Sequence, residues 1–440
     1  MNSPSPPPAP AQTAITAAQT ARIAQKRHAR NTWLRRCGLA GILLSISLIV
    51  ILFGAVLTIG LSAFWQTRIL LELDLSIERI DPDQTGDAQI ISKANYRAIV
   101  QEAIVEKAQQ VTGALSRQDR RAIRALVSKI APYLVRDQVL DNRALIGTRA
   151  ALWLPANNDV DAWVKGKIRR DIEESRRPIN ALQARVIDDL MATGRLDRFF
   201  NTDFFTRAAS SYPEVSGLAS AMVGSLMMVL IVVALALPLG VAAAIYLEEF
   251  ARPSRWVSLI EININNLAAV PSIVFGVLGL AVFINWFHLP RSTPIVGGLV
   301  LTLMTLPTII IAARAALQAV PHSIRQAAFG LGASKVQTVF HHVLPVAIPG
   351  IITGLIIGIT QAVGETAPLI MIGMAAFIPE ASFDPLSPAT ALPVQVYMLA
   401  GLPGRGYTEL AGATIILLLV LVLSLNSLAA FLRHRFQKRL

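Results

Sequence analysis

Residues 321–350 read PHSIRQAAFGLGASKVQTVFHHVLPVAIPG. Pro321 can open a helix, because its missing N–H is one of the donors that a first turn leaves unpaired anyway. The spacing predicts a short helix over 323–330, closed by Gly330 or Gly332 in a left-handed conformation. A second helix is expected from Ala333 or Ser334, stopping before Pro345. On either side stand runs without a charge, 293–313 ending at Arg314 and 344–364 ending at Glu365. A helix, a glycine turn and a helix are thus held out between two apolar segments. Such a protrusion implies a partner that docks on it.

Four more uncharged runs occupy 37–64, 217–247, 262–289 and 410–432. About 20 apolar residues cross the roughly 30 Å of hydrocarbon in a bilayer. Inside lipid the backbone must satisfy its own hydrogen bonds, so all six runs are expected to be helical spans. Only 15% of the chain is charged, against about 25% in ordinary soluble domains. A single water-soluble globule is excluded, and the lone Cys37 cannot form a disulfide within the chain.

The first run follows a basic segment, but it far exceeds the roughly 7–15 apolar residues of a cleaved signal. It is expected to be an uncleaved anchor. Arg22, Lys26, Arg27, Arg30, Arg35 and Arg36 precede it, Arg433, Arg435, Lys438 and Arg439 follow the last run, and Arg325 and Lys335 sit in the loop. Basic residues gather on the cytoplasmic side, and six spans put all three clusters there. Both termini are therefore expected in the cytoplasm. Residues 1–36 read as a basic tail that is expected to stay unstructured, with a Pro/Ala/Ser/Thr-rich start that cannot bury a core. Residues 433–440 form a second short tail.

Residues 65–216 carry 23 Lys and Arg and 21 Asp and Glu, while the other 288 residues carry 17 and 7. One charged, water-facing block of the chain is set into a charge-poor body, outside the cytoplasm by the topology above. Ile99, Ala103, Ile104, Val111 and Leu115 recur at helical spacing with charges between them, so amphipathic helices are expected. The block has no His and no Cys, and no metal or nucleophile pattern is found there. Elsewhere no phosphate-cradling loop of the Gly-x-x-x-x-Gly-Lys type is found, and no serine sits in a nucleophile elbow.

The order Gln326-Ala327-Ala328, three residues, Gly332, nine residues, His342, then Leu344-Pro345 resembles the coupling loop of ABC importer permeases. Gln326 stands where that family usually has Glu, and His342 where it usually has Ile. Further stretches are similar to the A-type permease of the high-affinity phosphate importer: Ala221–Ser225, Leu237–Gly240, Tyr246–Phe250, Asn266–Gly276 and Gly364–Leu369. The resemblance covers roughly 200–432 and implies an all-α membrane protein of the type I importer permease fold. In that arrangement 217–432 is the permease core, with five of the six spans and a coupling loop over 321–345. Within the insertion at 65–216, which is expected to be mainly helical, residues 65–200 resemble an extra domain found in a subset of these permeases. The resemblance further implies an inner-membrane subunit that transports phosphate and is not itself an enzyme. Its implied partners are a second homologous permease, an ATPase dimer carrying ATP and Mg, and a periplasmic phosphate-binding protein. Gln326, Ala327, Ala328, Gly332, Ala333, His342, Leu344 and Pro345 would form the surface gripped by the ATPase. A permease for another oxyanion, and a membrane-anchored sensor using 65–216, are the alternatives.

Charges at membrane depth are costly and usually functional or paired. Arg314 carries a planar donor fork suited to phosphate oxygens, or it is an interface arginine that reaches to water. Glu365 is followed by Thr366 and Pro368, a run expected to break the fifth span locally. Arg314, Gln361, Glu365 and Thr366 are the candidate residues of the substrate pathway. Asn263, Asn265, Asn266 and Ser272 are expected to bond between helices, and Glu248 and Glu249 to lie solvated in a turn.

Overall fold

The structure, a computed structural model, describes the backbone of residues 17–437 and the side chains of residues 31–435. It divides into two units, one ending at Val56 and the other beginning at Leu57. Most of the first unit is helix α1, Ala17–Gly60. The tail expected to be unstructured through residue 36 is helical from Ala17, and residues 1–16 and 438–440 lie outside the described residues. Residues 17–30 contain Ala, Gln, Lys and Arg with neither Gly nor Pro, a composition that favours helix. From Leu39 to Phe53 the apolar side chains of α1 stand exposed all round, as on a helix made to face lipid.

The second unit opens with the insertion. It contains strand β1 (Trp65–Leu75), helices α2 (Tyr96–Thr112), α3 (Arg117–Arg124) and α4 (Ala131–Asp141), and strand β2 (Thr148–Pro155). Helices α5 (Asn158–Val164) and α6 (Ala181–Ala192) follow, then strand β3 (Leu196–Phe200). The helices agree with the periodic pattern: Ile99, Ile104 and Ala108 of α2 are buried. The antiparallel sheet, in the order β2-β1-β3, was not anticipated. Ile69, Leu71, Leu73 and Leu75 of β1 alternate onto one buried face, with Leu71 opposite Leu152 and Ile69 opposite Leu196. That period of two is the mark of a half-buried strand.

The bundle comprises α7 (Ala219–Ile245), α8 (Arg255–Ala268), α9 (Ser272–Gly279), α10 (Pro294–Gln318), α11 (His322–Gly330), α12 (Leu344–Gly364), α13 (Leu392–Gly401) and α14 (Arg405–Gln437). Close approaches at glycines fix the helix directions. Gly297 meets Met228, Gly298 meets Ile231 and Gly240 meets Ile309, so α7 and α10 run parallel. Gly350 meets Ala316 and Gly354 meets Ala312, so α12 runs antiparallel to α10. Thr360 donates to Asn426 at 2.8 Å and Arg433 reaches Thr353 at 3.4 Å, which sets α14 antiparallel to α12. Small residues of this kind let membrane helices approach closely.

Among the described residues five helices are long and apolar enough to cross a membrane, and a sixth crossing requires the pair α8 and α9. That pair corrects the single continuous span expected over 262–289. It bends by 102° after Ala268, because Pro271 has no N–H and disfavours helix at the residue before it. The three asparagines then sit on an exposed amphipathic helix. Asn263 donates to the Leu259 carbonyl of its own helix at 2.8 Å rather than to a neighbouring helix.

The insertion packs on the start of α14. Glu409 accepts from Lys165 at 3.2 Å, from Lys167 at 2.9 Å and from Ser62 at 2.9 Å. Lys165 also pairs with Asp161 at 2.5 Å. Only 7% of the Glu409 and Lys165 side chains is exposed. Removing one partner of a buried ion pair costs about 3–5 kcal/mol, because the other charge stays buried. Glu409→Ala is therefore expected to loosen this junction, and limited proteolysis of the purified protein should cut between insertion and bundle where the parent chain resists. Equal resistance in both would contradict a clamping role for Glu409.

Candidate functional site

The loop between α10 and α12 stands at the end of the bundle opposite the insertion, since α10 ends there and α12 begins there. Helix α11 starts after Pro321, and Gly332 takes φ +83° to turn the chain. Ser334 and Gln337 then form a reciprocal capping box, which satisfies two free donors of the next helix. The second helix does not stop before Pro345 as expected. It continues, π-wound over Thr338–Val343, into α12 as one segment, Lys335–Gly364. The wider turn carries the helix up to a proline that cannot donate to it.

The two faces of this hairpin differ. Inward, Val339 and Val343 pack with Ala244, Ile245, Ala313, Leu317 and Val320 in one core, and Ala328 is buried. Outward, Gln326 and Ala327 are exposed beside Phe329, Val336 and Phe340, and Leu331 at the tip is 89% exposed. Ala333, Leu344 and Pro345 are half-buried and His342 is exposed. An exposed apolar tip of this kind is a candidate interaction surface.

Arg325 ties the hairpin to the spans. Its Nη2 donates to Glu249 at 2.6 Å and to the Leu317 carbonyl at 3.0 Å, its Nε to Glu249 at 3.2 Å, and its Nη1 to the Val320 carbonyl at 2.7 Å. The guanidinium thus caps the C-terminal end of α10, at the Leu317 carbonyl of its last turn and the Val320 carbonyl just beyond it. The same fork holds a charge-assisted, largely buried pair with the turn after α7. Beside it, Arg314 donates to Glu261 at 2.7 Å and lies 3.6 Å from Glu248, which also accepts from Gln318 at 2.9 Å. Four elements therefore share one layer of ion pairs: the end of α7, α8, α10 and α11. Lys335 adds a contact over the Phe250 ring at 5.4 Å.

Glu248 and Glu249 are thereby corrected: they are half-buried and paired, not solvated in a turn. The sequence signal was two acids ending an uncharged run, at the same bundle end as Arg314 and Arg325. Of the pathway candidates, the structure places Arg314 in this layer, its charge met by two carboxylates. Gln361 is exposed, and Glu365 and Thr366 are half-buried where α12 gives out. Gly354 lies level with Ala312, and α12 ends ten residues later, about 15 Å along the axis. Arg314 is thus not brought together with Gln361, Glu365 and Thr366, which cluster near the other end. The break expected at Gly364-Glu365 is present, with Glu365 extended before a short helix, Ala367–Met371.

Residues 236–440 match the family described as binding-protein-dependent transport system inner membrane component, and residues 21–174 match a domain of unknown function, DUF3333. The phosphate transport system permease protein PstA of Yersinia pestis is 33% identical over 214 residues, covering 48% of this chain and 71% of that protein. PstA of Haemophilus influenzae is 30% identical over 238 residues, 54% of this chain and 82% of its own. PstA 1 of Mycobacterium tuberculosis strain H37Rv is 32% identical over 225 residues, with 51% and 71% covered. Among solved structures, an inward-facing form of the MetNI methionine ABC transporter aligns over 50% of this chain and 95% of its own, at 19% identity and a TM-score of 0.39.

Proposed function

This chain belongs to the family of PstA phosphate transport system permeases, and we propose on that premise that it is the membrane-spanning subunit of an ATP-driven phosphate importer in the inner membrane. It is a transport subunit and not an ATPase; hydrolysis takes place on a separate polypeptide. The observation that carries the mechanism is the exposed hairpin with its ion-pair layer, at the bundle end remote from the insertion.

The hairpin faces the cytoplasm, as do both termini, and the insertion faces the periplasm. An ATPase dimer receives the apolar tip of this hairpin and that of a second, homologous permease. A periplasmic binding protein delivers phosphate at the opposite end. ATP-driven closure of the ATPase pair displaces the tip. Arg325 passes that displacement to α7 and α10 together, because it grips Glu249 and the α10 carbonyls at once. Arg314 passes it to α8. The broken end of α12, with Gln361, Glu365 and Thr366, lies on the far side of the pivot, where a half-helix end can face solute.

Uptake of radiolabelled phosphate, in cells lacking other uptake systems and challenged with excess sulfate, tests the substrate. Phosphate uptake that sulfate does not compete is the expected result; competition would favour a permease for another oxyanion. Arg314→Gln separates the two roles of that residue. A tether predicts that uptake falls several-fold in maximal rate with unchanged apparent affinity for phosphate. A weakened affinity at full rate would instead put Arg314 on the substrate.

A further inference from the structure

We infer that the insertion carries an anion site that binds a phosphate group, in the cleft between the start of α2, the segment after α3 and the start of α4. The cleft encloses about 350 Å³, at the lower end of the usual size range of small-molecule sites. Its charged walls are Arg97, Arg124, Lys129 and Arg136, with no Asp or Glu among the lining residues. Arg97, Arg124 and Lys129 have no ion pair among the described residues. Arg136 pairs with the neighbouring Asp137 at 2.8 Å, at the surface, and lies 5.5 Å from the Tyr133 ring centroid. An exposed pair of this kind contributes little.

A second cleft in the same domain supplies the internal comparison. It is equally large, but four carboxylates (Glu72, Asp74, Glu102, Glu106) stand among its lining residues beside its four cations, and Arg79 meets Glu102 at 2.7 Å and Arg195 meets Glu72 at 2.9 Å. The insertion as a whole is nearly neutral, with 23 basic and 21 acidic residues. Four like charges around one cavity are therefore local, and they repel one another until an anion enters. Three guanidinium forks suit the planar, multi-oxygen face of a phosphate better than a single-atom anion. Burial pushes the Tyr96 phenol up to about 12, and its O–H donates to the Ile91 carbonyl at 2.9 Å, so it adds no negative charge. The cavity exceeds inorganic phosphate and leaves space for an organic group against Tyr133. Free phosphate, a phosphate ester and a phospholipid headgroup share this chemistry. The inference does not rest on the transport reading, since no pathway residue takes part.

The test uses the full chain in nanodiscs, with Arg124→Glu/Lys129→Glu as the variant. Both positions are exposed, so reversal leaves the core intact, and Arg124→Gln/Lys129→Gln checks that the effect scales with charge. Arg117→Glu/Arg120→Glu, on the same α3 but outside the cleft, is the control. In phosphatidylcholine discs, equilibrium dialysis of inorganic phosphate is expected to lose one bound equivalent, or at least about tenfold in affinity, in the reversal variant only. If the ligand is a headgroup, phosphatidylglycerol discs raise the Tm of the parent chain and not of the variant. Parent and variant behaving alike in both arms would overturn the assignment. Phosphate uptake is measured in parallel, so failure of this site and failure of the transport function give different results.

Discussion

Arg325→Glu is expected to reduce phosphate uptake to background while the protein still reaches the membrane. The substitution removes the cap on the α10 carbonyls and sets a second carboxylate against Glu249, whose side chain is only 9% exposed. Breaking a buried pair costs about 3–5 kcal/mol even before like-charge repulsion is added. The inward core around Val339 and Val343 is untouched, so the hairpin remains attached but no longer moves with α7. ATPase activity of the reconstituted complex should persist and lose its dependence on substrate. The swap Arg325→Glu/Glu249→Arg restores opposite charges without restoring donors to the Leu317 and Val320 carbonyls. Partial recovery of uptake is therefore the expected result. Uptake by the single variant at the parent rate would remove Arg325 from the transmission path.

The second large effect concerns docking. Leu331→Asp places a charge at the most exposed apolar tip of the hairpin, and Phe340→Asp does so on its second helix. Interface anchors of this kind contribute about 2 kcal/mol or more each, roughly a thirtyfold change in affinity. The double variant is expected to fail to co-purify with the ATPase. Its fold should survive, because neither side chain belongs to the buried core. The bundle is expected to melt at the parent temperature, which distinguishes lost docking from lost folding. Co-purification at parent levels would show that the partner grips another surface.

The hairpin was legible because it is local: a helix start, a glycine turn and the flanking uncharged runs all lie within 321–350. Its partner residues were not, since Glu249 lies 76 positions from Arg325 and sequence alone does not bring them together. The bend after Ala268 was hidden by the uninterrupted lack of charge over 262–289. Pro271 is visible in the sequence, but a proline inside an uncharged run is equally compatible with a kink within one span. The strand β1 was masked in another way. Leu70 interrupts the alternation of Ile69, Leu71, Leu73 and Leu75 with polar neighbours, and the strand follows an apolar span almost without a break. The mainly helical character, the insertion and the protruding hairpin follow from patterns within single segments. The ion-pair layer and the sheet depend on pairings between distant segments. The pathway residues belong to the second kind. Arg314 looked free in the sequence because its carboxylates, Glu248 and Glu261, come from two other elements.

The most direct test of the account is a cross-link at the hairpin tip. Cys37→Ser removes the only native thiol, and Leu331→Cys then places one at the point proposed to enter the ATPase. In membranes holding the assembled importer, a short bifunctional thiol reagent is expected to join this position to the ATPase, with a yield that changes when ATP is added. An impermeant thiol reagent applied outside intact cells should leave it unlabelled. Labelling from outside, or no cross-link in an importer that still transports phosphate, would contradict the claim that this hairpin is where the motor takes hold.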